Sequence, residues 1–528
     1  MATENGRIRK VVIAGGGTAG WVAAYALAHQ FRDLLDITLI ESKDIGTVGV
    51  GESTIPTIRT FHRLLQIDEQ EFMSATAATF KLSISFENWK CKGDRYFHPF
   101  GTTGLNTWAT HFHHFWLDGL RRDMQHELGD FCLETRASRE DKFALFDRDT
   151  TTQSWSTRWV GMPGAAQRPE VSYAYHFDAA LYATYMRGKC EKLGLTRIEG
   201  TIKEVRQDPE SGYLTSLVLE DGQVIEGDLF LDCTGVRAVL GEQTLQTGFE
   251  DWGQWLRCDR AVALQAESVA PPVPYTRAIA HEAGWRWQIP LQHRIGSGLV
   301  YCSRFMSDDE AMAKLLEQVN APSIKAPWQV PFSTGRRRKA WNKNVVCIGL
   351  SAGFIEPLES TSIHLTLSSV ARLLQLFPVD GISPALVDHY NEISRQEMET
   401  VRDFIILHYH LNQRDEPLWR EMQEMELPEK LARRIAQFRQ RGHAWQGEDE
   451  MFRLDSWTHC MVGQGVMPEQ HHPLSRAMSD QELKDTFDHI RKPLVQAVAQ
   501  MPSHVDFLNS YCKAPQSVWN FRGPSMVG

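Results

Sequence analysis

The residues best suited to chemistry lie in five short stretches. Lys81 sits in "ATFKLSISFENW", an apolar, alternating run in which a free ammonium is out of place. Most lysines are solvated surface charges, whereas one buried in such a run needs a partner. Gly15-Gly16-Gly17-Thr18-Ala19-Gly20 supplies G-x-G-x-x-G directly after "KVVIA". In that pattern Gly15 allows the tight turn, Gly17 lets a pyrophosphate approach the backbone, and Gly20 lets the next helix pack closely. The phosphates then rest on a helix N-terminus, whose free N–H groups favour an anion. "DITLIE" ends at Glu41, 21 residues past Gly20, where an acid for a ribose is expected. NAD and FAD both remain open on this motif alone. "GWRWQIP" places Trp285 and Trp287 on one face of an extended segment that stops at Pro290; its plain reading is the end of a core strand. "LESTSI" puts Ser360, Thr361 and Ser362 just ahead of a helix from Ile363, where an ordinary N-cap is the competing reading.

The elements that must position these residues are visible as strand-like runs ending in unusual loops. "KVVIAGGGTAGWVAAYAL" reads as strand, glycine turn and helix, and "GDLFLDCTG" as a strand ending in small residues. "NVVCIGLSAGFIEPLESTSIHLTLSSVARLLQLF" reads as strand, irregular loop and helix, with Ile363, Leu367, Val370 and Leu374 on one face. A glycine- and aromatic-rich stretch at about residues 80–180 shows little periodicity. Beyond Pro384 the spacing turns helical, as in "ALVDHYNEISRQEMETVRDFIILHYHL". The expectation is an α/β body over 1–384 with a Rossmann-like dinucleotide fold, and a mostly helical C-terminal subdomain over 385–528.

Composition narrows the function classes. A net charge of −10 over 528 residues argues against nucleic acid or an anionic membrane as a partner. No apolar run approaches the length of a membrane span, and the N-terminus lacks the apolar core of a secretory signal. Nine scattered cysteines without a C-x-x-C pair fit reduced thiols in a cytoplasmic protein. The run His111, His113, His114 lacks a carboxylate or cysteine at ligand spacing, so no metal site is expected.

Four motifs in order make the chain resemble the flavin-dependent tryptophan halogenase family, from about residue 8 to the region of Pro468. They are "GGGTAGW" continuing to "GVGESTIP", "TFKLSISFENW", "GWRWQIP" and "GFIEPLESTSIH". The resemblance implies FAD, used as FADH2 with oxygen and a halide (chloride or bromide) to make a hypohalous acid. That acid would travel a tunnel to Lys81, paired with Glu359, to halogenate an indole or related electron-rich aromatic. It further implies flavin contacts at Gly15, Gly17, Thr18, Ala19, Gly20, Glu41, Gly51, Ser53, Val205, Leu350 and Ile363. Thr361 and Ser362 would hold the halide at a helix start; the family usually has glycine in place of Ser362. His98 and Phe100 would sandwich a flat ring. Trp285, Trp287, Ile289 and Pro290 would form a barrier between flavin and substrate.

The rival reading is an FAD-dependent aromatic monooxygenase, which has no use for Lys81 or the tryptophan pair. A non-catalytic flavin-binding protein gains nothing from a buried lysine and acid. With one dinucleotide motif already assigned to FAD, a separate NAD(P)H-dependent flavin reductase is expected as partner, together with a small aromatic substrate. Monomer and homodimer both remain open. After residue 400 the chain has only Tyr409 and Tyr511, which are not adjacent. The paired tyrosines that tryptophan-specific family members use to hold the amino-acid group are thus missing, and an uncharged indole is the expected substrate class.

Overall fold

The computed structural model describes residues 7–42, 51–145, 171–448 and 450–519. Part of the aromatic-rich stretch at 80–180, and Gly49 and Val50 of "GVGESTIP", lie outside those residues.

A six-stranded sheet holds the dinucleotide motif. Its order is Trp341–Asn342, Val345–Cys347, Leu229–Asp232, Lys10–Ala14, Asp36–Glu41 and Thr196–Glu199, parallel except at the first strand. The strand Lys10–Ala14 is buried on both faces, as central parallel strands are. Val11 and Ile13 join the core under the helix Thr18–Phe31. Val12 and Ala14 face a three-stranded antiparallel sheet containing Ile202–Gln207 and Leu214–Leu219.

The second large sheet runs Trp328–Pro331, Arg260–Ala266, Ile295–Tyr301, Gly284–Pro290, Tyr275–His281, Ser83–Glu87 and Arg95–Pro99. The tryptophan strand Gly284–Pro290 lies at its middle. Its pairing to Tyr275–His281 ends at Gln288, so Pro290 falls where that ladder has already stopped and its missing N–H costs no sheet bond. A small sheet of Gly51–Ser53, Ala174–Asp178 and Thr79–Lys81 sets Ser53 and Thr79 on either side of His176.

The expected helical region begins at Pro384, with Ser383 accepting the N–H of Leu386 as a cap, and its first helix runs 27 residues to His410. These helices share their core with the sheets rather than packing as a separate body. Phe404, Trp457 and Met461 join Ile84, Trp285 and Ile289 in one cluster, while Val498 and Leu508 join the core beneath the glycine motif. Among the described residues no helix is long and apolar enough to cross a membrane, and the nine cysteines are free thiols.

Candidate active site

The glycine turn opens a cavity of 1110 Å³, just above the usual range for small-molecule sites and roomy enough for a large cofactor. Gly15 has φ +113°, and a Cβ there would lie 2.3 Å from the Cys233 carbonyl oxygen; a Cβ on Gly20 would lie 1.8 Å from the Gly15 oxygen. Gly17 has open space in front of it. Those are the conditions under which a phosphate can meet the N-terminus of a 14-residue helix. Glu41 lines the same cavity, accepts the Trp21 indole N–H at 3.2 Å and pairs with Arg197. Gly15, Gly17, Thr18, Ala19, Gly51, Ser53, Leu350 and Ile363 also line it. A dinucleotide therefore fits the residues present: a bare glycine approach, an acid at the ribose position, and a lining that includes Arg187, Arg197 and Arg395, each paired with a carboxylate.

Two of the expected flavin contacts take other places. Gly20 packs helix against strand behind the wall. Val205 lies outside the cavity, which Thr201 and Ile202 line instead, and Val205 packs on the cluster around Leu217 and Phe230. Each strand residue advances about 3.3 Å, so the strand has left the cavity edge by the time it reaches Val205. The three arginines went unread in the sequence because each comes from a separate element.

Lys81 is fully buried at the end of Thr79–Lys81. Its Nζ donates to the Thr54 carbonyl at 3.0 Å and to Ser360 Oγ at 2.8 Å, and stands 4.9 Å from the centre of the Phe100 ring. Burial pushes the ammonium down to about 7, against the attraction of Glu359. The expected direct pair with Glu359 is not formed. Glu359 ends the turn Pro357–Glu359 and accepts from His98 Nδ1 at 2.8 Å; His408 Nε2 lies 2.9 Å from its other oxygen, unaligned for a hydrogen bond. Burial acts to raise this carboxyl, but His98 and His408 outweigh it and hold it down at about 2. Between the two residues Ser360 adopts φ +61°, which turns its hydroxyl back toward Lys81.

His98 and Phe100 do not make a parallel slot. Their rings are 6.4 Å apart at 76°, because His98 is turned to serve Glu359. Phe404 and Phe452, stacked at 3.7 Å, complete an aromatic wall beside His98. Among the described residues, the one group of three metal-ligand-type side chains with atoms within 4.8 Å is His98, Glu359 and Cys460, not the 111–114 histidine run. Burial and Glu359 push the Cys460 thiol well above its ordinary value, so it stands neutral beside the carboxylate.

The halide segment reads differently from a plain N-cap. The helix Ser362–Gln375 begins after Thr361, whose side chain makes no capping bond, and the first helical N–H groups have no intrahelical acceptor. Ser362 lines the cavity; Thr361 is buried behind it, its hydroxyl without a hydrogen-bond partner. The residues expected to form a barrier divide too. Trp287 and Ile289 line the cavity, while Trp285 and Pro290 do not. Trp285 donates to Glu356 at 2.9 Å, as Tyr409 does at 2.7 Å, in a core with Trp89. Its ring centre is 6.2 Å from that of Trp287, so the pair shares a face as expected.

The cavity and the buried pair are distinct spaces joined at Ser360, which lines the cavity and touches Lys81, while neither Lys81 nor Glu359 lines it. A family model described as tryptophan halogenase matches residues 10–480. Tryptophan 6-halogenase SttH from Streptomyces toxytricini is 37% identical over 448 residues, covering 81% of this chain and 84% of that protein. Among solved structures, Xcc4156, a flavin-dependent halogenase from Xanthomonas campestris, superposes with TM-score 0.91 at 46% identity over 96% of this chain and 99% of that one. BrvH, a flavin-dependent halogenase from Brevundimonas sp. BAL3, gives 0.89 at 41% identity over 96% and 99%.

Proposed function

This chain belongs to the tryptophan halogenase family, and from that premise we propose that it halogenates an uncharged indole or related electron-rich aromatic between Lys81 and Glu359. As a flavin-dependent halogenase it uses FADH2 and halide; the flavin, once bound and reduced, supplies with oxygen the chemistry that turns halide into hypohalous acid. The free first turn of Ser362–Gln375 offers an anion its N–H groups at the cavity wall. Trp287 and Ile289 fill the wall, so a small neutral acid passes where an aromatic does not.

The observation that carries the reading is the separation of an ionised acid from a buried ammonium by one serine. Two of the three Lys81 N–H bonds are taken by Thr54 and Ser360. The third is left to polarise the oxygen of a hypohalous acid and make its halogen more electrophilic. Glu359, kept ionised by its two histidines, stabilises the cationic ring intermediate and accepts its proton.

The substrate class rests on the missing clamp. Tyr409 is buried and donates to Glu356, and Tyr511 donates to Glu69, so neither is disposed to hold an amino-acid group. A zwitterion entering this aromatic wall would lose hydration with little return. The test supplies FAD, a flavin reductase, NADH and chloride or bromide, with indole and L-tryptophan at equal concentration. Indole should be halogenated much faster. Preference for tryptophan overturns the substrate class, and halide-independent oxygenation overturns the reaction.

A further inference from the structure

Six hydrogen bonds run without interruption from Lys81 to the tryptophan strand. Lys81 Nζ donates to Ser360 Oγ at 2.8 Å, Ser360 Oγ donates to Ser53 Oγ at 3.0 Å, and Ser53 meets Thr276 Oγ1 at 2.7 Å. Thr276 meets His176 Nε2 at 2.9 Å, His176 Nδ1 meets Thr79 Oγ1 at 2.9 Å, and Thr79 donates to the Pro290 carbonyl at 2.7 Å. Each member is buried.

The proline end and a neutral ring fix every proton in the chain. A carbonyl can only accept, so Thr79 spends its one proton on Pro290 and must accept from His176 Nδ1–H. A neutral imidazole is then bare at Nε2 and takes the Thr276 proton, so Ser53 must donate to Thr276 and Ser360 to Ser53. Ser360 is left with only lone pairs for Lys81, which donates to it. Burial, then the Lys81 charge, then His504 lower the His176 pKa well below its ordinary value, which agrees with a neutral ring.

Reversal is costly. A neutral amine keeps two N–H groups and can still donate to Thr54 and Ser360, but those bonds are then no longer charge-assisted and are weaker. Were it instead to accept from Ser360, the whole chain would have to turn and His176 Nδ1 would take the Thr79 proton, leaving the Pro290 carbonyl without its donor. We propose that His176 is a positioning residue for Lys81: held as the Nδ1–H tautomer, it orients the hydroxyls of Thr276, Ser53 and Ser360 so that Ser360 presents a lone pair to the ammonium. The inference rests on the role given to Lys81 above. The titratable groups facing the ammonium are Glu359 and His176; its other neighbours are the Thr54 carbonyl, the Ser360 hydroxyl and the Phe100 ring.

The two spectroscopic tests need no turnover, so they stand apart from failure of the halogenase reading. In ¹⁵N-histidine spectra of the full-length protein, with His176→Phe to assign the signal, His176 should show a protonated Nδ1 and a bare Nε2. In ¹³C-lysine spectra, with Lys81→Met to assign the signal, the Lys81 titration should move about one pH unit lower in His176→Phe and in Thr79→Val, both of which remove the His176–Thr79 bond by deleting a different partner. The halogenation rate above neutral pH should then fall about tenfold in both variants, the loss expected from one network hydrogen bond. Thr79→Val keeps the side-chain shape and supplies the answer if His176→Phe does not fold. An Nε2–H or doubly protonated ring overturns the proposal, as does a Lys81 titration that Thr79→Val leaves in place.

Discussion

Replacing Lys81 by methionine should shift stability relative to wild type in a pH-dependent way, most favourably at neutral pH and below, with that benefit fading as pH rises. The folded ammonium titrates at about 7 and the ordinary one at 10.5. Well below pH 7, burying that charge costs about 5 kcal/mol, at about 1.36 kcal/mol per pH unit, and at pH 7 about 4 kcal/mol. Between 7 and 10.5 the unfolded chain holds the extra proton, so wild-type stability rises with pH; at pH 9 the remaining cost is about 2 kcal/mol. Methionine matches the shape without the charge. It leaves the Thr54 carbonyl and Ser360 hydroxyl short of a donor, at about 1–3 kcal/mol each, but at every pH alike. The informative quantity is thus the stability of Lys81→Met minus that of wild type, which should fall by about 2 kcal/mol from pH 7 to pH 9. Denaturant unfolding at the two pH values measures it. A difference that stays constant would mean that Lys81 is not a depressed, buried ammonium, and the proton-donor role would fall with it.

Other outcomes follow from the same geometry. Halogenation should decline as pH rises through about 7, because the ammonium that polarises the oxidant is lost there; a rate that climbs through that range would point to the neutral amine instead. Glu359→Gln should slow halogenation about 10²-fold or more, since the amide keeps the shape and loses the charge, and wild-type turnover in that variant would remove the acid from the mechanism. Gly298→Ala would place a Cβ 2.0 Å from Trp287 Cζ2; it should destabilise the fold by about 1–3 kcal/mol and disturb flavin binding in a fluorescence titration, and unchanged values for both would show that the ring moves freely. NADH alone should support no halogenation with the pure protein, while added flavin reductase and FAD should; turnover without the reductase would reveal a nicotinamide site in this chain.

What the sequence made legible was local. The glycine turn, Glu41, the paired tryptophans and the helix from Pro384 each carry their signal within a few residues, through backbone demands or side-chain period. The parts misread are those decided across the fold. Ser360 reads as a cap because its neighbours open a helix, yet a positive φ turns its hydroxyl to a lysine 279 residues away. His98 and Phe100 alternate as pocket residues should, but the alternation could not reveal that Glu359 would claim the imidazole. Trp285 and Trp287 share a face, and only the core behind them, with Glu356 and Tyr409, decides which indole meets the cavity.

His176 carries no signal at all: in "AYHFD" it is one more strand residue. Its meaning comes from register, which puts Ser53 and Thr79 against it from both neighbouring strands. In this buried network the proton order is set from the end that can only accept, the Pro290 carbonyl, through a neutral imidazole. Sequence displays residues capable of donating and accepting. Only the fold says which of them is the end, and therefore which tautomer of the histidine leaves Ser360 a lone pair for the lysine.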